Sequence, residues 1–251
     1  MIRMNWDNFF KFHIPREIIA SFIVISIICI LSFIIYFKFK NADPYEEKPS
    51  KFIVLITTGV LKIKNMTVEL MGKKWENFAG YTLCLFVYIF IAFIFSLTGL
   101  PGPMTNIYVP LSLGLCTFIL IHATAIRANK LKYFKRYVDP IPVLLPVNLL
   151  SMWSPLLSLT LRLFGNALSG FVLMTLIYGA LGNLSNMIFS FIPNGWGSIF
   201  IAPIITPVLH AYFDVFSGAI QTLVFAMLTM IFVSQEDPDE QEEELLTLKK
   251  N

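Results

Sequence analysis

Charge is scarce in this 251-residue chain. Only 14% of its residues are Asp, Glu, Lys or Arg, against 56% hydrophobic, and a soluble domain carries roughly 25%. That shortage excludes an ordinary cytosolic enzyme and a disordered chain, and a mean hydropathy of +0.71 points to a surface that meets lipid. Cysteine is nearly absent. Cys29, Cys84 and Cys116 each sit in an apolar run with no CxxC pairing, which argues against a disulfide scaffold or a thiolate metal site. No small-residue cleavage site follows the first apolar run, so a removed signal peptide is not expected. There is no Ser-His-Asp order, no Gly-rich phosphate loop and no HExxH spacing, so no ATP site, catalytic triad, cofactor or metal is expected on this chain.

What charge there is lies between the apolar stretches. Seven of the 16 acids fall in the tail Gln235–Asn251, leaving a body with 17 bases and nine acids, net +8. The excess sits in two loops, which argues for a membrane protein and against a nucleic-acid partner. Ile18–Phe37 is 20 residues without a charge, enough to cross a ~30 Å hydrocarbon core as a helix. Lys38–Trp75 holds eight Lys against four acids, and within it Phe52–Lys74 interleaves apolar residues with Lys62, Lys64, Glu69 and Lys73, the pattern of an interfacial amphipathic helix.

Between Glu76 and Arg127 no charge occurs. Pro101, Gly102, Pro103 and Pro110 divide this stretch into a hairpin of two spans, about Phe78–Thr98 and Leu111–Ile126. Arg127, Lys130, Lys132, Lys135 and Arg136 then form a short basic loop. Short basic loops stay on the cytoplasmic side, so both Lys-rich segments are expected inside and the hairpin turn and N-terminus outside. Two long helices, about Val147–Leu181 and Trp196–Ser234, complete an all-α membrane protein of five membrane helices with its C-terminus inside. The expected organisation is an N-terminal segment 1–17, a first span 18–37, a cytoplasmic segment 38–75, a hairpin 76–126, a basic loop 127–146, two long helices 147–234 and an acidic tail 235–251. The tail is either a solubilising end or a docking segment.

Pro140–Gln235 contains only two permanent charges, Arg162 and Asp214, together with His210. Arg162 lies mid-helix, where a centred Arg costs ~2.5–3.5 kcal/mol on insertion scales and cannot shed its proton. It must face water, a polar cavity or a counter-charge. A buried pair with Asp214 is one solution, although such pairs rarely stabilise a fold over apolar packing. Ser158, Arg162, Asn166 and Ser169 recur at helical spacing, as do His210, Asp214, Gly218 and Gln221. Two polar stripes inside lipid suggest an aqueous or proton-conducting path between the helices. A carboxylate and an imidazole four residues apart suit proton movement near neutral pH. Gly165, Ala167, Gly170, Gly218 and Ala219 are small enough to admit a neighbouring helix closely.

The string Ser158-Leu159-Thr160-Leu161-Arg162-Leu163-Phe164-Gly165-Asn166 resembles the signature helix of the a subunit of F-type ATP synthases, SLxLRLFGN. Ile220-Gln221-Thr222-Leu223-Val224-Phe225-Ala226-Met227-Leu228-Thr229 is similar to that family's IQAxxFxxLT run, and the Leu100-Pro101-Gly102-Pro103 turn and five-helix layout also fit. The resemblance covers about Gly80–Val233. It implies a non-catalytic stator beside a ring of c-subunit hairpins, with a b-type peripheral stalk and an F1 head as further partners. It implies that Arg162 faces the ring carboxylate, draws it into its charged form and blocks leakage between two half-channels. Asn166 and Gln221 match the polar residues flanking the arginine, and Asp214 falls where the family carries Glu or His in a half-channel. The implied ion is H⁺ or Na⁺.

Three positions depart from the family's pattern. Phe171 and Asn148 stand where many members have Glu or His and Glu, respectively, and Pro155 where a basic residue is common. The ion path would then lean on Asp214 and His210. Richness in Ile, Phe, Lys and Asn fits an AT-rich bacterial genome, hence the cell membrane rather than the mitochondrial inner membrane. Two other classes are compatible with the residues alone. One is a self-contained proton- or cation-coupled carrier of an anionic solute, which would show repeated halves that this chain lacks. The other is a non-conducting scaffold, which would tolerate Arg162→Leu.

Overall fold

A computed structural model describes residues 15–41, 50–130, 145–189 and 201–237. The N-terminal segment, most of the basic loop and most of the acidic tail lie outside the described residues. Among those described there are helices and turns and no strand.

Helix α1, Arg16–Lys40, contains the first apolar run and extends it at both ends; Lys38 and Lys40 in its last turn oppose the partial negative charge there. Helix α2, Lys51–Met71, holds the amphipathic segment. Its outer half exposes Leu55, Val60 and Leu61, whereas Met71 is buried with Ile121, Met230 and Val233. Gly72 ends it at φ 81, a conformation that turns the chain without a Cβ penalty. A 3-10 stretch, Lys73–Phe78, leads into α3, Ala79–Ile94, and a second, Phe95–Thr98, closes the span. Glu76 at its start pairs with Lys64 at 2.5 Å and so ties α2 to α3.

The hairpin turn is held by its own side chains. Thr105 Oγ1 donates to Gly102 O at 2.7 Å, and Asn106 Oδ1 accepts from the Tyr108 N–H at 3.1 Å, serving an amide that α4 would leave unpaired. Helix α4 is Tyr108–Asn129 and α5 is Leu145–Ile188. Helix α6 runs continuously over Ala202–Ser234. It comprises α-helix Ala202–His210, a π-helical turn Ala211–Phe216 and α-helix Ser217–Ser234.

Among the described residues, five helical stretches are long and apolar enough to cross a membrane: Arg16–Lys40, Lys73–Thr98, Tyr108–Ala128, Leu145–Ile188 and Ala202–Ser234. The sequence expectation of five spans plus a separate amphipathic helix therefore matches the observed elements. The basic ends of α1 and α4, Lys73 and Lys74 ahead of α3, and the end of α6 can all share one side, with the hairpin turn on the other. At 44 residues α5 is about 66 Å long, twice the ~30 Å core, so it lies steeply inclined.

Lipid gives no hydrophobic drive to helix association, so close packing and small residues must hold the bundle. Buried Val24, Ile89, Ala92, Phe93, Leu159, Leu163 and Phe225 join α1, α3, α5 and α6. Helix α3 lies against the second half of α6, and α4 against α5. Gly218 makes the first of these contacts possible, since a Cβ there would stand 2.7 Å from Phe93 Cβ. Gly165 has nothing within 4 Å of a Cβ and faces outward, so the expected close helix contact at that residue is not made within this chain.

Candidate functional site

Arg162 sits near the middle of α5, partly buried, on a turn whose inner face is fixed by buried Leu159 and Leu163. Its Nη2 donates to Ser158 Oγ at 3.4 Å, one turn back. Among the described residues no carboxylate pairs with it, because Asp214 is engaged elsewhere. The ion pair weighed from the sequence is therefore not formed. A guanidinium has five N–H donors, and one long hydrogen bond to a neutral hydroxyl leaves its charge uncompensated among the described residues.

The polar stripes of α5 and α6 meet one turn further along. Asn166 Nδ2 donates to Ser217 Oγ at 3.0 Å and lies 3.5 Å from Gln221 Oε1, while Ser217 Oγ donates to Asn166 Oδ1 at 3.2 Å. Asn166 thus reaches across the helix interface to both Ser217 and Gln221. Gln221 Nε2 is buried without a hydrogen-bond partner. Ser169 does not join them; it is exposed, and its hydroxyl donates back to Asn166 O at 3.0 Å.

Toward the hairpin turn stands a second group. His210 Nδ1 lies 2.5 Å from Asp214 Oδ2, and Tyr178 Oη lies 2.9 Å from His210 Nε2. Asp214 is in the π-helical turn, where the Ser217 N–H reaches back five residues to Tyr212 O. The added residue of such a turn shifts the face presented after it. Within it Asp214 faces back to His210; downstream, Ser217 and Gln221 face Asn166.

A cavity of about 420 Å³ joins these groups to the hairpin turn. Ser96 and Thr105 line its outer part; Tyr178, His210 and Asp214 line its wall; Asn166 lies at its inner end. Arg162 does not line it. Phe171 does, at the position where the sequence comparison leads one to look for an acid, so the polar lining there comes from α6 and Tyr178.

Two participants were not singled out from the sequence. Ser217 is three residues after Asp214 and four before Gln221, so helical spacing alone could have included it. Tyr178 continues the four-residue steps Asn166, Gly170, Met174, Tyr178, a row that winds slowly round the helix and that the polar-residue pattern loses at Gly170.

The arrangement can pass a proton along hydroxyl, imidazole and carboxylate, and it can present an unneutralised cation to a group outside the chain. Comparison with known proteins gives a consistent picture. A family model described as the ATP synthase A chain matches residues 18–234. The chain is 36% identical over 231 residues to ATP synthase subunit a of Mycoplasma genitalium, covering 86% of this chain and 77% of that one. It is 32% identical over 231 residues to the subunit of Mycoplasma pneumoniae, with the same coverage. A protein named ATP synthase subunit a, sodium ion specific, from Propionigenium modestum is 27% identical over 212 residues, 77% of this chain and 65% of that one.

Proposed function

The chain belongs to the ATP synthase A chain family, and from that premise we propose that it is the ion-translocating stator subunit of a bacterial rotary ATP synthase, in which Arg162 meets a carboxylate carried past it by a moving ring. The observation that carries this reading is the uncompensated guanidinium. A protein that bears the cost of a mid-membrane arginine and then leaves it without a counter-charge is incomplete alone. An acid arriving from a partner supplies that counter-charge, and each arrival releases its predecessor.

The outward faces of α5 support a partner there. Leu150, Leu157, Leu161, Leu168, Val172 and Leu176 are exposed along its length, and Gly165 leaves open space beside Arg162. A ring of apolar helices would cover this face, and its carboxylate would enter hydrocarbon only when neutral, because a bare charge there is prohibitive. A peripheral stalk subunit and a soluble ATPase head complete the assembly.

Orientation follows from the basic loop, which stays on the cytoplasmic side of the cell membrane. The 420 Å³ cavity then opens outward and forms the inlet half-channel. A proton reaching Tyr178 passes to His210 Nε2 as the imidazole yields its Nδ1 proton to Asp214; the Tyr178–His210 hydrogen bond reverses direction in the process. Asn166, Ser217 and Gln221 bridge the gap to the ring carboxylate beside Arg162. The second half-channel runs along the first turns of α5, where Ser151, Ser154 and Ser158 lie between Arg162 and the basic end, with the partner ring as its other wall. Arg162 separates the two routes by repelling a proton that would cross directly. An imidazole–phenol chain passes protons, which supports H⁺ as the ion carried.

The test is ATP-driven acidification of inverted vesicles carrying the assembled complex. Arg162→Ala abolishes it while the ring and head remain attached. Full pumping by that variant refutes the reading.

A further inference from the structure

A second cavity, of about 830 Å³, lies at the opposite, basic end of the bundle, where α3 begins, α4 ends and the chain leaves α6. Its polar lining is Lys74, Trp75, Asn77, Thr124, Arg127 and Asp237, and its apolar wall includes Phe78 and Leu120. We propose that it holds the headgroup of one anionic phospholipid of the cytoplasmic leaflet, with the phosphodiester against Arg127 and Trp75 and the acyl chains along Phe78 and Leu120.

The charges set the ligand's sign and size. Lys74 Nζ pairs with Asp237 Oδ2 at 2.9 Å, and the Asp237 side chain is only 8% exposed. That pair is internally neutral. Arg127 is exposed and has no ion-pair partner among the described residues, so the described lining carries one spare positive charge, which a phosphodiester monoanion balances. Guanidinium binds such a group through two parallel N–H bonds. Trp75 Nε1 is buried, on a ring set edge-on to Phe78 with centroids 5.9 Å apart, and among the described residues is a second donor without an acceptor.

Position argues for a lipid over a soluble anion. Lys74 and Trp75 precede the span of α3 and Arg127 lies in the last turn of α4, the level at which spans leave hydrocarbon and where Trp and basic residues meet headgroups. A free phosphate would leave the apolar wall uncovered. The chain's own acidic tail, which leaves from Asp237, is the rival occupant. Asp237 has already neutralised the nearer lysine, and a run of carboxylates would likewise leave Phe78 and Leu120 bare. The inference rests on the membrane spans and their orientation, and is independent of the ion path.

The full chain in detergent is titrated with dioleoylphosphatidylglycerol, dioleoylphosphatidylcholine and inorganic phosphate, and retained ligand is counted by native mass spectrometry. One phosphatidylglycerol is retained per chain where phosphatidylcholine is not. Arg127→Gln weakens retention about fivefold, the worth of one basic residue against an anionic headgroup. Trp75→Phe, which keeps the ring and removes the N–H, also weakens it. Lys130→Gln, a neighbouring cation that does not line the cavity, leaves it unchanged. Four results would each overturn the proposal: equal retention of both lipids, an equal effect of Lys130→Gln, displacement of the lipid by inorganic phosphate at matching concentration, or retention only after residues 238–251 are removed.

Discussion

Asp214→Asn separates charge from shape at the inlet. The amide keeps the size of the side chain and can still accept a hydrogen bond from His210 Nδ1, at present 2.5 Å from the carboxylate. It loses the negative charge beside the imidazole, and it cannot take over the Nδ1 proton. Hydrogen bonds to charged groups contribute about 1.5–3 kcal/mol and neutral ones about 0.5–1.5, so the relay step is disfavoured by roughly 1–2 kcal/mol through the lost charge alone. Because 1.36 kcal/mol is a factor of ten in rate, the expected fall in pumping is about 5- to 30-fold when that step limits turnover. Loss of the acceptor role adds to this. The assay is ATP-driven quenching of an acridine dye by inverted vesicles, normalised to assembled complex. Because His210 and Asp214 act as one unit, the double variant His210→Ala with Asp214→Asn is no slower than the worse single variant. Two results refute the reasoning: a rate for Asp214→Asn equal to that of the parent, or losses that multiply in the double variant.

Tyr178→Phe removes the 2.9 Å contact to His210 Nε2; pumping falls by about two- to tenfold, the worth of one neutral hydrogen bond, measured in the same vesicles. Ser217→Ala leaves Asn166 to Gln221 alone and slows pumping without detaching the ring, which parallel measurement of pumping and ring content would check. Gly218→Val drives a branched side chain into Phe93 and destabilises the α3–α6 contact by about 1–3 kcal/mol, seen as a lower melting temperature of the purified chain in detergent; an unchanged melting temperature contradicts the close approach. Pumping measured in Na⁺-depleted buffer matches that in Na⁺-rich buffer, whereas dependence on Na⁺ would show that the Tyr178–His210–Asp214 chain is not the conductor.

The spans were legible because charge is absent from them. Ile18–Phe37 fixed the body of α1, and the prolines at 101, 103 and 110 located the hairpin turn, because lipid admits no unpaired backbone outside helices. Boundaries shifted where polar residues were still compatible with helix. Asn183 and Asn186 lie within α5, and that helix accordingly runs on to Ile188 rather than ending near Leu181. Helix α6 begins at Ala202, after the Pro- and Gly-containing stretch in which the sequence had suggested a start at Trp196. The pairing of His210 with Asp214 follows from their four-residue spacing, and it answers the question that Arg162 raised, since the only carboxylate of that half is already taken. The π-helical turn could not be read. It depends on how Ala211–Phe216 packs between α3 and α5, which no local pattern encodes, and it sets which face carries Ser217. Tyr178 escaped for a related reason: its contact is made across two helices 32 residues apart in the chain.

Disulfide trapping at the arginine's turn tests the central claim most directly. In an assembled complex whose Cys29, Cys84 and Cys116 are replaced, a cysteine at exposed Leu161 is oxidised beside a cysteine placed one turn from the ring's membrane carboxylate. The account predicts a cross-link at Leu161→Cys and none at buried Leu163→Cys. Free reaction of Leu161→Cys with a lipid-soluble maleimide, with no cross-link to the ring, would contradict it, for Arg162 would then face lipid with no acid to meet.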